Sequence, residues 1–287
     1  MSGNLKYQFA KLSIVEKLIA INVVVFLLNA ILVNLFRFSY GLGERWMELP
    51  SDFLSFIKQP WSIITYSFFH SGIGHIFWNM LVLYFFGRTF LNLFGGKRFL
   101  SVYFLGIIAG GLLFMIGYNV VPALVGINSV LVGASAGVTA VLIFVCAYLP
   151  NQTVRLFIID LKLWHIGVIV VLMDLFRLST GQNVGGMLAH LGGAALGYFY
   201  ATQLTKGKDI GAGFEKLIDS IVNIFKRDKK AKMKTVYKSS NPKKSTVDKQ
   251  KEGKQRKIDA ILDKISKSGY DTLTKTEKEF LFKQGKK

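Results

Sequence analysis

Ser135 stands in Gly133-Ala134-Ser135-Ala136-Gly137, among residues small enough for another backbone to come close. A serine becomes a nucleophile when a neighbouring base takes its proton, and His190 is the candidate base. His190 is followed by Gly193 and Gly197 at i+3 and i+7, so on a helix all three share one face. Two glycines four apart let a neighbouring helix approach closely, and a histidine on that stripe can then reach a serine on the neighbour. A third group is His70, Ser71, His75 and Asn79, in which His75 and Asn79 are i and i+4 and face one way. Two donors on one face, joined by the backbone N–H of Ser135, suit an oxyanion hole. The chemistry is acyl transfer, with His190 as general base and then general acid.

Other readings of the same residues exist. Packing of small residues between helices accounts for Gly133 to Gly137 taken alone. The G-x-S-x-G spelling also describes a hydrolase nucleophile elbow, which needs a strand and a soluble parallel sheet that this sequence does not offer. Zinc held by His70, His75 and His190 competes too, but no glutamate completes an H-E-x-x-H pattern and the serine would go unexplained. No metal and no cofactor are therefore expected. His165 reads as an interfacial or packing histidine, and Cys146, within the apolar run Val141 to Leu149, as a small buried side chain.

The elements that must position these residues are apolar. Charge-free runs extend over Leu18 to Phe36, Gln59 to Gly87, Phe99 to Val154 and Leu178 to Thr205. Runs of roughly 18 or more apolar residues are membrane-span candidates. Residues 1 to 204 hold 12 Lys/Arg and 6 Asp/Glu, against 24 and 11 in residues 205 to 287, so two physically different parts meet near residue 205. This pattern excludes an ordinary soluble enzyme. It also argues against a nucleic-acid partner, because the formal charge of +19 reads as membrane topology plus a basic tail.

Six spans fit, at about residues 16 to 36, 74 to 94, 99 to 118, 133 to 149, 161 to 178 and 188 to 204. The first reads as a retained span, since Leu18 to Phe36 is full length and no small-residue cleavage site obviously follows it. Lys6, Lys11 and Lys17, then Arg88, Lys97 and Arg98, then Arg155 and Lys162, then Lys206 and Lys208 flank alternate ends. That places both termini in the cytoplasm and Ser135 with His190 near the external face. The connection from Arg37 to Gly72 mixes Trp46, Phe53, Phe56 and Trp61 with charges, which suggests a half-embedded external loop.

The expected organisation is a cytoplasmic N-terminus at 1–15, a six-span domain at 16–205, an amphipathic helix and Lys-rich cytoplasmic linker at 206–257, and a small helical segment at 258–287. Phe214, Leu217, Ile218, Ile221, Val222 and Phe225 repeat at helical spacing, so this helix and the basic stretch Lys226 to Lys257 suit an anionic lipid surface. A solvated linker is the competing reading. Thr274 with Glu277 forms a capping-box pattern ahead of Phe280 and Leu281.

These residues resemble the rhomboid family of intramembrane serine proteases over about residues 15 to 205. The similarity rests on His70, His75 and Asn79 in the second span with Pro60-Trp61 and Thr65-Tyr66 before them. It also rests on Ser135 at the start of the fourth span and on His190, Gly193 and Gly197 in the sixth. The family usually has glycine straight after the nucleophile, whereas this chain has Ala136 and then Gly137. Arg45-Trp46 resembles, in reversed order, a Trp-Arg pair of the family's external loop. The resemblance implies an all-α membrane protein, a rhomboid-like six-helix bundle with a half-embedded loop between spans one and two. It also implies transmembrane-helix protein substrates, a small residue before the cut, a mobile fifth span, and His70 and Gly133 as supporting residues.

The sequence reading is an endopeptidase that cuts transmembrane segments of other membrane proteins near the external bilayer face through a Ser135–His190 dyad. The expected location is a bacterial plasma membrane. Asp160 and Asp174 are the only acidic residues beside or within the later spans, and neither is assigned to orient His190. The rival readings are a rhomboid-like protein that binds unstable membrane helices without cutting them and, more distantly, a transporter, for which span charges and an inverted repeat are missing.

Overall fold

The computed structural model describes residues 5–34, 44–156, 159–225 and 246–284, which form two compact units, Met1–Arg227 and Asp228–Lys287. Arg37 and the Lys-rich stretch from Lys226 to residue 245, both used in the sequence reading, lie outside the described residues.

A short helix, α1 (Leu5–Lys11), precedes α2 (Ile14–Asn34). Ser13 stops one and starts the other: its Oγ accepts the Glu16 N–H at 3.2 Å while Glu16 Oε2 accepts the Ser13 N–H at 2.7 Å, a reciprocal cap. The connection towards the next long helix runs through α3 (Glu44–Met47), β1 (Leu49–Pro50), α4 (Phe53–Lys58), α5 (Ser62–Thr65) and a 3-10 turn at Tyr66–Phe68. Asp52 caps α4 through the Ser55 N–H. Trp61 Nε1–H donates to the Trp46 carbonyl at 2.7 Å and the two indoles stack. Trp46, Phe53, Leu54, Ile57 and Trp61 stay exposed, an apolar face suited to lipid.

The bundle consists of α2 with α6 (Ile73–Leu93), α7 (Gly96–Val120), α8 (Ser135–Tyr148), α9 (Leu163–Ser179) and α10 (Val184–Thr205). Each begins and ends within about four residues of the corresponding segment expected from the sequence. Among the described residues, α2, α6 and α7 are long and apolar enough by themselves to cross a bilayer. Helix α8 lies at the centre against α6, α7, α9 and α10, and every residue from Ala136 to Cys146 is buried. Its 14 residues span about 21 Å, short of the ~30 Å of hydrocarbon.

Two short ladders went unread in the sequence. β1 pairs antiparallel with β2 (Val130–Leu131), Leu49 opposite Leu131, and so ties the connection between α2 and α6 to the chain that leads into Ser135. Ser51 reinforces it, donating its N–H to Ser129 O at 2.9 Å and accepting the Ser129 N–H on Oγ at 3.0 Å. Between α8 and α9, β3 (Thr153–Leu156) pairs with β4 (Ile159–Lys162), and Arg155 clasps Asp160 at 2.9 and 3.0 Å. Asp160 is thus an exposed hairpin residue outside α9.

Helix α11 (Ala212–Phe225) joins the first unit. Arg98 at the start of α7 holds Asp209 at 2.6 and 3.1 Å, Tyr200 Oη–H donates to the same carboxylate at 2.7 Å, and Lys97 pairs with Asp219. In the second unit, α12 (Thr246–Ser268), a 3-10 turn at Tyr270–Thr272 and α13 (Lys275–Gln284) bury Ile261 and Leu273. Glu277 accepts the Thr274 N–H at 2.8 Å and binds Lys264, which completes the cap read from the sequence.

Candidate active site

A cavity of about 760 Å³ opens between α6, α8, α9 and α10, and its wall includes Ser71, His75, Asn79, Ser135, Asp174 and His190. Four separated stretches of sequence therefore meet at one space.

Ser135 is the first residue of α8. The earliest i to i−4 bond here runs from Val138 N–H to Ala134 O at 3.0 Å, so the N–H groups of Ser135 and its two successors have no intrahelical acceptor. They form the positive end of the helix beside the serine hydroxyl. Gly133 sets the approach at φ +119°, a region disfavoured for residues with a side chain. A Cβ there would also fall 2.6 and 2.7 Å from Cε1 and Nε2 of His75. Only glycine leaves room for that ring, and the Gly133 N–H anchors the turn to Tyr66 O at 3.0 Å.

His190 reaches the cavity because α10 packs on α8 backbone to backbone. A Cβ on Gly193 or Gly197 would run into the carbonyl oxygens of Ala136 and Ala140 respectively. The glycine stripe sets the helix spacing, as its sequence spacing suggests. Ser135 and His190 face the same space without a hydrogen bond between their side chains. The partner of His190 is Asp174, whose Oδ1 lies 3.1 Å from Nδ1.

That contact places an acidic side chain beside His190, where the sequence reading left Asp174 unassigned. Helices α9 and α10 are antiparallel across a four-residue turn, with Asp174 five residues before the end of α9 and His190 six residues after the start of α10. At about 1.5 Å per residue the two lie at nearly equal depth. The signal was present: a carboxylate in an apolar span, placed symmetrically about a short turn with a histidine.

Ser71, two residues before α6, has its Oγ 3.0 Å from Nδ1 of His75 on that helix. With the hydroxyl donating, the His75 proton sits on Nε2, the nitrogen near Gly133. Asn79 gives one amide hydrogen to His75 O at 3.0 Å and retains a second. His70 is buried, lies edge-on to His75 with ring centroids 5.1 Å apart, and accepts the Ala134 N–H on Nε2 at a long 3.5 Å. Burial first, and then the neighbouring His75, push its pKa down to about 4 against a smaller opposing effect of the Phe68 carbonyl, so the ring is neutral. His70 thus supports the turn before Ser135 and does not line the cavity. His165 accepts the Lys162 N–H at 3.2 Å at the far end of α9, and Cys146 is buried against Gly167. Among the described residues no three His, Cys, Asp or Glu side chains are grouped to hold a metal ion.

A family described as Rhomboid domain matches residues 58–207, just over half of the chain, and a Family of unknown function (DUF6576) matches 245–287. RHOMBOID-like protein 12, mitochondrial, of Arabidopsis thaliana is 31% identical over 159 residues, covering 51% of this chain and 47% of its own. Rhomboid protein 1, mitochondrial, of Saccharomyces cerevisiae is 29% identical over 196 residues, 68% of this chain and 54% of its own. Presenilin-associated rhomboid-like protein, mitochondrial, of Homo sapiens is 28% identical over 139 residues, 47% of this chain and 36% of its own. The chain spans about half the length or less of these curated relatives.

Proposed function

The chain belongs to the rhomboid family of membrane proteins, and from that premise we propose that it is a serine endopeptidase cutting transmembrane segments of other membrane proteins. The observation that carries the reading is the cavity shared by Ser135, at the half-buried start of α8, with His190, His75 and Asn79.

Ser135 Oγ attacks the scissile carbonyl as His190 Nε2 takes its proton, and His190 then protonates the departing amine. The Ser135 N–H, His75 Nε2–H and the second Asn79 amide hydrogen hold the oxyanion. Gly193 and Gly197 hold α10 against α8, and His70 and Gly133 hold the turn. Water attacks the acyl-enzyme from the cavity, and the substrate helix unwinds locally before its carbonyl becomes available.

Six helices, α2 and α6 to α10, cross the bilayer in this proposal. Lys17, Arg88, Lys97, Arg98, Lys162 and Lys206 gather at one set of helix ends, and Ser135 and His190 belong to the other. By the positive-inside rule the site opens on the face away from the basic ends. The named relatives are mitochondrial proteins, so the bacterial plasma-membrane expectation draws no support from them, and the orientation holds in either membrane. Helix α11, with Leu217 and Val222 exposed, rests on the anionic lipid of the basic face. In this organisation residues 16–205 are the protease domain, and 206–287 an anchoring appendage that includes the segment 258–287.

The rival reading, a chain that grips unstable helices without cutting, draws on the missing Ser135–His190 hydrogen bond. Substrate-free sites commonly leave such bonds long until the Michaelis complex forms. Cleavage of a single-span reporter in proteoliposomes decides between them: product from the wild type but not S135A supports the protease. Reporter binding without product from any form would overturn it.

A further inference from the structure

Asp174 is a carboxylate set in an apolar helix, 5% exposed, and the mechanism above makes no use of it. Ionisable groups at such depth are costly and persist where they have a partner and a task. Among the described residues its bond is to the imidazole proposed as the base, at 3.1 Å. We propose that Asp174 is a positioning residue that fixes the orientation and tautomer of His190, making the site a three-member relay; this rests on the protease reading above.

The two nitrogens of His190 have different tasks. A base must present an unprotonated Nε2 to Ser135. The Asp174 carboxylate accepts the N–H of Nδ1, which puts the ring proton there and leaves the Nε2 lone pair free. As the Oγ–carbon bond forms, the serine proton moves to Nε2 and His190 becomes a cation facing a carboxylate in a partly dry cavity. Asp174 holds the ring through this bond without itself taking a proton. When the carbon–nitrogen bond breaks, the Nε2 proton leaves with the amine and His190 is neutral again.

The other polar groups around the ring do not take this place. Arg177, one turn further along α9, lines the cavity but has no acceptor. His75, on α6, is bonded through Nδ1 to Ser71. The antiparallel register of α9 and α10 delivers Asp174 to the back of the imidazole, on the nitrogen away from the one the serine needs.

The test compares the full-length wild type with D174N, D174E, H190A and D174N/H190A in proteoliposomes at matched folded amounts. It measures reporter turnover and the rate at which a fluorophosphonate labels Ser135. D174N is expected to lower kcat by ~10²-fold or more with KM changed less than about twofold, D174E to recover to within about tenfold of wild type, and D174N to cost nothing further in the H190A background. Wild-type turnover by D174N would overturn the proposal, as would an equal loss from D174N when His190 is already absent. Should D174N fold poorly, D174E carries the test, and a folded D174E that labels no faster than H190A overturns it. A wild type that neither cuts nor labels Ser135 overturns the protease reading and this proposal together. A wild type that cuts beside an unimpaired D174N overturns this proposal alone.

Discussion

The methyl group of Ala136 lies against the bare backbone of Gly110 on α7, where a Cβ on Gly110 would fall 2.5 Å from the Ala136 Cβ. The residue after the proposed nucleophile, at which the chain departs from the glycine usual in the pattern it resembles, is thus received by a glycine across the interface. The same imagined Cβ would lie 2.6 Å from Ala189 O, so α7, α8 and α10 meet at one point beside Ser135 and His190.

G110A is accordingly expected to destabilise the bundle by about 1–3 kcal/mol through overpacking, with reporter cleavage falling alongside. G110A/A136G should recover only part of the loss, because Ala189 O still obstructs the new methyl. A136G alone should remain active. Thermal unfolding in detergent together with turnover checks this, and a G110A that melts like wild type would contradict the packing described.

S135A and H190A should each reduce cleavage by ~10⁴-fold or more while folding as wild type. Fluorophosphonate labelling should disappear in S135A. Retention of substantial turnover by either variant would remove it from the mechanism.

Around the oxyanion, H75A and N79A are each expected to cost ~10²- to 10³-fold in kcat with smaller changes in KM. G133A should do at least as much damage by a different route, since it combines a left-handed φ with a side chain driven into the His75 ring. Equal kcat for G133A and wild type would show that His75 need not hold this position.

The junction at Asp209 responds to acid. Burial by itself raises this carboxyl's pKa, but bonds from the Tyr200 hydroxyl, Arg98 and the Gly211 N–H outweigh it and hold the group below its ordinary value of 3.8. A group depressed on folding contributes stability above its unfolded pKa and loses that contribution as pH falls through the folded one. D209N should therefore expose α11 amides to hydrogen exchange at pH 7, by roughly 1–3 kcal/mol of opening energy. Wild type and variant should converge as pH falls below the carboxyl's ordinary value and through its depressed folded one. A gap that persists undiminished in acid would mean that the charge of Asp209 is not what docks α11.

Much of this protein is legible one helix at a time. The apolar segments read from the sequence mark the bundle helices to within a few residues because hydrocarbon and a crowded bundle interior both demand apolar side chains. His75 and Asn79, or His190 with Gly193 and Gly197, are recognisable because helical spacing places them on one face without knowledge of any neighbour. The ladders escaped this reading: Leu49–Pro50 and Val130–Leu131 are two residues each, too short for a period-two pattern, and they pair only because the bundle brings distant chain together.

The sequence alone thus determined the membrane character of the chain, the helices available and the residue types able to attack, accept a proton or hold an anion, since each follows from composition or from spacing along one helix. Tertiary structure decided how they combine. It put Asp174 on His190, Gly110 beneath Ala136 and His75 into the space that Gly133 leaves open. Such contacts join side chains from different helices, and they depend on interhelical distance, rotation and depth, which emerge only when every small-residue interface in the bundle closes at once.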